Sequence, residues 1–541
     1  MTDGGASLAG RGGNPILGPG FAGLSGWVLA ALLLGVSGLL GMALTLVDPV
    51  KIGILVVALV GCVFFMRMSL HHPVGTLCAI IFAQVTVPVY IRLPIPGLPS
   101  LPPPLLLIAG LSGVLLFRQF LHPTRVRTGR YERFLSTALL LYGAALVLTL
   151  PGNEHVYGGS VSMLVKTWVI PTFLFFILLS TIRTPGQLER VHTAILIAAV
   201  LSGMLGVHEF ITRDNFIATA LAPRVTIEED FFLWLLANSD KSPPYIGGAI
   251  YRVYSFFTQP LEYSAFMVMA MPYPVLKFVT ATTPGQRLIY GVAGLIIMAG
   301  FVVSFSRGPT LALVLVLLFL AIHERRVRPW LLVGLGLAVL ALIVAWPFIA
   351  DQLTERVSGS RNVTLRFRLW ENGIITFLEN PIRGIGYGSY PNYHAQSIHD
   401  HQIGPMYEYP WRHIESVTTV ENIYVSLAAE TGLLGLGAFF LLLGVYAYIF
   451  RKVMRLGDPR IRLLALTSAG ATLAFLLSGM TVANIIGYTI SILFFGVYIA
   501  SIGVLSRRLP DHPHPSPAVL APFVSTRSPR YPRPRPADGT G

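Results

Sequence analysis

The chain has 541 residues, of which 54% are hydrophobic and only 12% are charged, and its mean hydropathy is +0.67. A soluble globular protein has roughly 45–50% apolar and about 25% charged residues, so this composition excludes that class and indicates a polytopic membrane protein. The formal net charge of +14 does not predict nucleic-acid binding, because the basic residues follow the pattern of membrane topology. Cys62 and Cys78 both fall in apolar segments, which argues against a disulfide framework or a metal-ligand cluster.

Apolar stretches recur along most of the chain, and most are close to the ~20 residues that a helix needs to cross a bilayer. Backbone groups in lipid must be hydrogen-bonded within the segment, and the sequence lacks the short alternating segments of a β-barrel, so the expected fold class is all-α. The fourteen predicted spans lie at about 27–46, 52–67, 74–91, 104–121, 134–151, 162–182, 191–212, 261–280, 287–304, 309–323, 330–348, 421–450, 463–482 and 484–505.

The two ends of the chain differ from this apolar middle. Residues 1–25 are glycine-rich and lack the basic start, apolar core and cleavage site of a signal peptide, which predicts a disordered cytosolic tail. Residues 506–541 are rich in proline, arginine and serine, which predicts a second disordered cytosolic tail. Residues 26–505 between them form the predicted transmembrane domain.

The distribution of basic residues predicts the orientation, because short cytoplasmic loops collect Lys and Arg. With both termini in the cytoplasm, the alternation of fourteen helices places 25 of the 39 Lys and Arg residues on the inner side. The short outward loops then contain only Lys51 and Arg92. Two long loops, at about 212–260 and 349–420, face outward in this arrangement.

The two outward loops have different characters. The first contains the apolar run Phe231 to Leu236, which is too short to span and is typical of packing at the membrane surface. In the second, Thr364 to Leu378 has the spacing of an amphipathic helix, which Glu379-Asn380-Pro381 ends. The predicted apolar face of that helix consists of Phe367, Trp370, Ile374, Phe377 and Leu378.

Three glycines follow this helix. Gly384, Gly386 and Gly388 have the spacing G-x-G-x-G, with no predicted strand before them and no helix directly after, so a dinucleotide-binding turn is rejected. The glycines instead predict tight turns and a close approach of the loop backbone to its partner.

A histidine cluster in the same loop raises the question of a metal. His394, His399 and His401 lie near Asp400, but their spacing matches no standard zinc-ligand pattern. Solvated histidine-rich loops of this kind are common, so we expect no metal site.

Arg307 lies between two predicted spans, at the outward end of the hairpin that they form. An arginine at such a position is either an anchor at the membrane interface or part of a functional site. The helix that starts directly after Gly308-Pro309 and the further arginines of the outward loops favour a site.

The ordered set of motifs from about Arg252 to Gly437 resembles the bacterial O-antigen ligase and polymerase superfamily. Ser306-Arg307-Gly308 opens an apolar helix, Arg368-Leu369-Trp370 precedes Asn380-Pro381-Ile382-Arg383-Gly384, and Glu421-Asn422-Ile423-Tyr424 runs into Glu430-Thr431-Gly432. Each motif alone is weak, whereas their order around a large outward loop is fairly specific.

This resemblance implies a fold and an activity. The expected protein is a GT-C-type membrane glycosyltransferase of the bacterial inner membrane that uses no metal and no other cofactor. Its donor would be an undecaprenyl-pyrophosphate-linked glycan on the periplasmic face, and its acceptor a lipid or a glycan. Membrane lipids and envelope polysaccharide assembly proteins are the expected partners, and both a ligase and a polymerase agree with the motifs.

The chemistry of the arginines agrees with such a donor. A diphosphate leaving group needs concentrated positive charge, and the planar guanidinium binds phosphate oxygens bidentately while it stays protonated. Convergent guanidinium groups would also stabilise the charge that develops on the leaving oxygen. The candidate pyrophosphate ligands are Arg252, Arg307, Arg361, Arg366 and Arg368. Trp370, Asn422 and Tyr424 are candidates for positioning the acceptor or the loop.

One departure from the family pattern concerns the catalytic base. Ligases of this family typically have His-Asn where this chain has Glu421-Asn422, and a carboxylate is also able to accept a proton from an acceptor hydroxyl. Glu421 is therefore a candidate base, with a helix N-terminal cap as its alternative role. His413 is the other candidate base.

A transporter is the competing class of protein, either a flippase for lipid-linked oligosaccharides or a carrier of small anions. Transporters commonly have repeated halves and ionisable groups near the middle of the membrane. The sequence has no clear repeat and concentrates its charge in the outward loops, which favours an enzyme.

Overall fold

The computed structural model describes residues 61, 63–88, 103–121, 129–215, 217, 219, 252–257, 259–334, 336, 361–393, 420–481 and 488–509. Within these ranges the regular secondary structure is helical, and no strand is present. This agrees with the all-α prediction. The tails at 1–25 and 510–541, the predicted span at 27–46, and the histidine cluster with His413 lie outside the described residues.

The chain divides into two compact units, Met1–His71 and His72–Gly541. In the first unit, residues 63–71 are helical, and the Ser69 hydroxyl donates to the Phe65 carbonyl oxygen at 2.8 Å. The candidate site residues with described positions all belong to the second unit.

Among the described residues of the second unit, seven helices are long and apolar enough to cross a membrane. We name them with the shorter helices in chain order as follows: α1 Pro73–Thr86, α2 Pro103–Leu121, α3 Arg130–Leu148, α4 Gly158–Thr181, α5 Pro185–Thr212, α6 Pro260–Ala270, α7 Pro272–Thr280, α8 Pro284–Val302, α9 Arg307–His323, α10 Arg361–Glu379, α11 Ile423–Val453, α12 Pro459–Ser478 and α13 Thr489–Ser506. The seven are α3, α4, α5, α8, α11, α12 and α13. The exact number of fourteen spans stays a prediction.

Proline defines many of the helix boundaries, because it lacks an N–H and fits the first position of a helix, where that group has no intrahelical partner. Thr184 caps α5, accepting a hydrogen bond from the Gln187 N–H at 3.3 Å. Asp458 caps α12 by accepting from the Arg460 N–H at 2.8 Å. The span predicted at 261–280 is two helices, α6 and α7, whose boundary coincides with the missing N–H of Pro272.

The centre of the bundle is α13, which is enclosed by neighbouring helices. The Phe494 ring stacks on Phe475 of α12 with ring centroids 3.9 Å apart. Gly496 faces Leu174 of α4 so closely that a Cβ there would lie 2.8 Å from Leu174 Cδ2. Small residues at such contacts let helices in a membrane approach each other, which strengthens their van der Waals packing.

Ion pairs connect the helices at the end of the bundle that the charge pattern predicts to be cytosolic. Arg507 donates to both carboxylate oxygens of the buried Glu132, at 2.7 and 2.6 Å. The same guanidinium donates to the carbonyl oxygens of Leu179 and Ile182, so it also satisfies the end of α4. At the start of α5, Glu189 pairs with Lys277 and Arg460. We refer to this end of the bundle as the inner end.

Candidate functional site

The opposite end of the bundle contains the predicted site, and Arg252 and Arg307 form its first corner. Arg252 donates from Nε to the Ser304 carbonyl oxygen at 3.1 Å, and from a terminal nitrogen to the Ser306 hydroxyl at 2.9 Å. Arg307 follows Ser306 directly, begins α9 and has an exposed side chain. The Arg252 side chain therefore contacts the residue that precedes Arg307, although positions 252 and 307 are 55 apart in the sequence.

A buried carboxylate that sequence reasoning missed holds the segment of Arg252. Glu209 is completely buried near the end of α5, and its two oxygens accept from the backbone N–H groups of Tyr254 and Ser255, at 3.1 and 2.8 Å. Asn215 donates to Glu209 at 3.0 Å and to the Ser255 carbonyl oxygen at 2.8 Å. Glu209 therefore fixes the backbone two residues after Arg252. The sequence signal that could have identified Glu209 is the presence of a carboxylate inside an apolar predicted span.

Arg366 and Glu421 form the second corner. The Arg366 Nε lies 2.9 Å from a carboxylate oxygen of Glu421, and about a third of each side chain is exposed, 33% and 36% respectively. Solvent therefore reaches both groups. Glu421 has a φ of +51°, which is uncommon for a residue with a side chain and is often found at functional sites.

The side-chain cap of α11 comes from the neighbour of Glu421, and the charge–dipole role of Glu421 at this helix end stays a prediction. Asn422 is the N-cap of α11, and its side-chain oxygen accepts from the N–H groups of Tyr424 and Val425 at 2.9 and 3.2 Å. Asn422 is thus a residue that shapes the helix start. The carboxylate of Glu421 points to Arg366 instead, and its role as a base stays a prediction.

The turn after α12 connects the two corners. Asn422 donates to the Met480 carbonyl oxygen at 3.2 Å, and the Ile423 N–H donates to the Gly479 carbonyl oxygen at 2.8 Å. The next residue, Thr481, packs so tightly against Gly308 that a Cβ on that glycine would collide with it. This turn therefore contacts the start of α9, beside Arg307, and the start of α11, beside Glu421.

Helix α10 confirms the predicted amphipathic helix, and only part of its predicted apolar face packs on the protein. Leu369, Gly373 and Thr376 are buried, and a Cβ on Gly373 would lie 2.6 Å from Val425 of α11. Phe367, Ile374 and Leu378 of the predicted apolar face are exposed instead. The reason is that the small residues at 373 and 376 allow α10 to approach α11, which rotates the larger side chains outward.

Three further residues of α10 were predicted as site residues: Arg361, Arg368 and Trp370. The helix begins at Arg361, three residues before the predicted start, so Arg361 and Arg368 are both helical. Their side chains lie outside the described part of the chain. Trp370 packs against the cluster of Ile385, Tyr390, Val420 and Ala429, which agrees with a loop-positioning role.

The glycines after α10 make the close backbone approach that the sequence predicted, and their partner is a break in α11, which the sequence did not predict. The N–H groups of Ile385 and Gly386 donate to the carbonyl oxygens of Ala429 and Glu430 at 3.1 and 2.9 Å. Gly384 has a φ of +65°, and a Cβ on it would collide with the Glu430 carbonyl group. Gly432 interrupts α11 with a φ of +60°, and a Cβ there would collide with Ile382. Only glycine fits both contacts without strain.

Glu430 strengthens this pairing and is the second buried carboxylate that sequence reasoning missed as a site residue. It is 3% exposed, and its two oxygens accept from the N–H groups of Gly388 and Tyr390 at 3.1 and 3.4 Å. Because one buried side chain accepts both of these backbone hydrogen bonds, it holds the loop at two points. Glu430 therefore orders the segment that follows α10.

The same segment is also attached to the outward end of α3 and to α4. Arg383 donates to the carbonyl oxygens of Leu148 and Pro151, both at 2.8 Å. The Tyr387 hydroxyl lies 2.7 Å from the Thr167 hydroxyl. Burial raises the pKa of the Tyr387 phenol far above its usual value, and the nearby Glu430 raises it further, so this hydroxyl stays protonated.

Tyr424 lies in the packing between two helices. Its hydroxyl donates to the Leu476 carbonyl oxygen at 2.9 Å, and its ring lies nearly parallel to Phe440, with centroids 6.2 Å apart. These contacts favour a structural role over direct contact with an acceptor. For metals, no group of three or more His, Cys, Asp or Glu side chains with a suitable arrangement occurs among the described residues.

Comparison with known protein families supports the predicted resemblance. Residues 292–440 match the family described as O-antigen ligase, which confirms the predicted resemblance. The matched range includes Arg307, Arg366, Glu421 and Glu430. No curated protein matches the chain in sequence.

Proposed function

We propose that this chain, whose residues 292–440 belong to the O-antigen ligase and polymerase superfamily, is a membrane glycosyltransferase that transfers or polymerises a lipid-linked glycan. The donor is an undecaprenyl-pyrophosphate-linked glycan, the acceptor is a lipid or glycan hydroxyl, and no metal takes part. The proposed setting is the periplasmic face of a bacterial inner membrane. The protein there has a GT-C-like fold of about fourteen helices with both termini in the cytoplasm.

The observation that carries this proposal is the gathering of Arg252, Arg307, Arg366 and Glu421 at one end of the bundle. Three of the five arginines selected from the sequence have described side chains, and all three lie at this end. The turn through Met480 and Thr481 connects their two corners. Guanidinium groups at one end of an apolar helix bundle suit a donor that combines a diphosphate with a polyprenyl chain.

We assign each group a role in this reaction. The acceptor oxygen attacks the anomeric carbon, the bond from that carbon to the phosphate oxygen breaks, and the lipid diphosphate leaves with the electron pair. Glu421 takes the proton of the acceptor hydroxyl, and its contact with Arg366 keeps the carboxylate oriented. Arg252 and Arg307 stabilise the negative charge of the leaving diphosphate.

The transporter alternative receives no support from the family match. The described carboxylates next to the candidate site are engaged in structure, since Glu209 and Glu430 both accept backbone hydrogen bonds. Such groups order loops and do not form an open pathway across the bilayer.

The decisive experiment uses the full chain, purified and reconstituted in liposomes with an undecaprenyl-pyrophosphate glycan and candidate acceptors. We expect consumption of the donor and release of undecaprenyl pyrophosphate, with strong loss in Arg307→Ala. The matched control is Arg287→Ala, which removes an exposed arginine in the first turn of α8. Glycan moving across the bilayer without cleavage of the donor would instead identify a flippase.

The orientation has its own test. A single cysteine next to Arg361 should react with an impermeant thiol reagent in cells with a permeabilised outer membrane, whereas one next to Arg530 should not. Labelling of the C-terminal position in those cells would contradict the proposed topology.

A further inference from the structure

Helix α10 has an apolar stripe that no described part of the chain covers. Phe367, Ile374 and Leu378 are 60%, 48% and 67% exposed, and Ile382, just after the helix, is 70% exposed. Their spacing places the first three within about 40° of each other around the helix axis. The side of α10 that packs on α11 is a different one, so the stripe is not part of the protein core.

The stripe continues onto the surface of α11. The Leu434 N–H donates to the Ile382 carbonyl oxygen at 3.2 Å, and the Leu433 N–H donates to the Pro381 carbonyl oxygen at 2.8 Å. Leu433 is 59% exposed, and Phe440 and Leu441 farther along the helix are 51% and 50% exposed. In a membrane-spanning helix such a row of exposed apolar side chains faces lipid.

The break at Gly432 indicates where the bilayer begins. From Leu433 to Val453, α11 has about 21 residues, or roughly 31 Å of helix, which is the thickness of the hydrocarbon core. Leu433 and the hydrogen-bonded Ile382 therefore lie near the outer boundary of that core. Glu379 is exposed on another side of α10, about 100° from Leu378, whereas Glu371 is exposed at the edge of the stripe, about 20° from Leu378. A helix that is apolar on one exposed side and acidic on another is typical of the membrane surface.

We propose that α10 lies on the outer surface of the membrane with Phe367, Ile374, Leu378 and Ile382 in contact with lipid. The partner is the bilayer itself, because the stripe is continuous with the lipid-facing side of α11. Since Arg366 is part of α10, contact of α10 with lipid sets the position of the pair formed by Arg366 and Glu421 along the bilayer normal. That pair is then held at the level of lipid headgroups. The inference concerns placement, and it holds or fails independently of glycan transfer.

The test measures depth in the membrane on the full chain in lipid nanodiscs. Single spin labels are attached to Ile374→Cys and Leu378→Cys in a background in which Cys62 and Cys78 are replaced by serine. The control is Glu379→Cys, about 100° from Leu378 on the same helix. We expect labels at 374 and 378 to collide frequently with oxygen and rarely with a water-soluble nickel chelate, and the label at 379 to show the reverse.

Two outcomes would overturn the inference. Labels at 374 and 378 that are as accessible to nickel as the label at 379 would mean that the stripe faces water. Labels shielded from both oxygen and nickel would mean that a protein surface, such as a second copy, covers it. Where a labelled variant fails to purify as a folded protein, Ile382→Cys provides another position, because the Ile382 side chain is the most exposed of the four.

Discussion

The two ends of the helix bundle use their charged residues differently. At the inner end, Arg507 binds both oxygens of Glu132, a residue whose side chain is 3% exposed, and also two carbonyl oxygens of α4. At the outer end, Arg366 touches Glu421 through one nitrogen, and about a third of each side chain is exposed. The first arrangement leaves no room for a ligand, whereas the second leaves both groups accessible.

This difference distinguishes charged residues that stabilise the fold from charged residues that are accessible to a substrate. Breaking a buried pair leaves an uncompensated charge and costs much stability, while an exposed pair contributes little to folding. We therefore expect substitutions at the inner end to reduce stability and substitutions at the outer end to reduce activity. The following predictions test that division, beginning with the largest effect.

Replacing Glu421 by glutamine should reduce turnover by roughly 10²- to 10⁴-fold, because the amide cannot accept the proton of the acceptor. Donor binding and the unfolding temperature should stay close to normal, since the exposed contact with Arg366 adds little stability. The assay is transfer from an undecaprenyl-pyrophosphate glycan in liposomes. Glu371→Gln, an exposed carboxylate of α10, is the control.

Full activity of Glu421→Gln with unchanged donor binding would exclude Glu421 as the base. His413 would then be the next residue to substitute. Glu421→His is a further check, because partial activity there would support proton transfer at this position.

Replacing Glu132 by glutamine should cost about 3–5 kcal/mol of stability, because Arg507 would lose its buried counter-charge. The measurement is thermal unfolding of the protein in detergent, together with turnover per molecule of folded protein. We expect a clear fall in the unfolding temperature and nearly unchanged turnover. Normal stability with lost turnover would contradict the division between the two ends.

Replacing Arg307 by lysine should weaken donor use by roughly 10- to 100-fold, which corresponds to the ~1.5–3 kcal/mol of a hydrogen bond to a charged group. Lysine keeps the charge and loses the planar fork that fits two phosphate oxygens. The quantity to measure is kcat/KM for the lipid-linked donor, with Arg287→Lys as the control. Normal kcat/KM would make Arg307 an anchor at the membrane interface.

The fold and the candidate site differ in how far the sequence predicted them. Apolar periodicity located the described spans to within a few residues, because lipid forces each of them to be a long helix. Arg307 and Glu421 stood out because they flank apolar segments. Glu209 and Glu430 were missed as site residues because their partners are backbone N–H groups of distant segments, which no spacing along the chain reveals.

The partner of each side of α10 was not predictable for a related reason. The periodicity predicted an apolar face without saying what covers it, and the packing on α11 uses Leu369, Gly373 and Thr376. In a soluble protein the hydrophobic effect would oppose exposed Phe367 and Leu378. At a membrane surface lipid covers such residues, so periodicity alone does not identify which apolar side faces the protein.

The smallest predicted effect concerns Tyr424, which the sequence indicated as a positioning residue. Its hydroxyl donates to the Leu476 carbonyl oxygen, so Tyr424→Phe removes one hydrogen bond between α11 and α12 and keeps the ring against Phe440. We expect a loss of about 0.5–1.5 kcal/mol of stability, with KM for the acceptor unchanged. Thermal unfolding and acceptor titration measure the two effects separately. A rise in KM for the acceptor without loss of stability would instead mean that the hydroxyl leaves Leu476 during the reaction and contacts the acceptor.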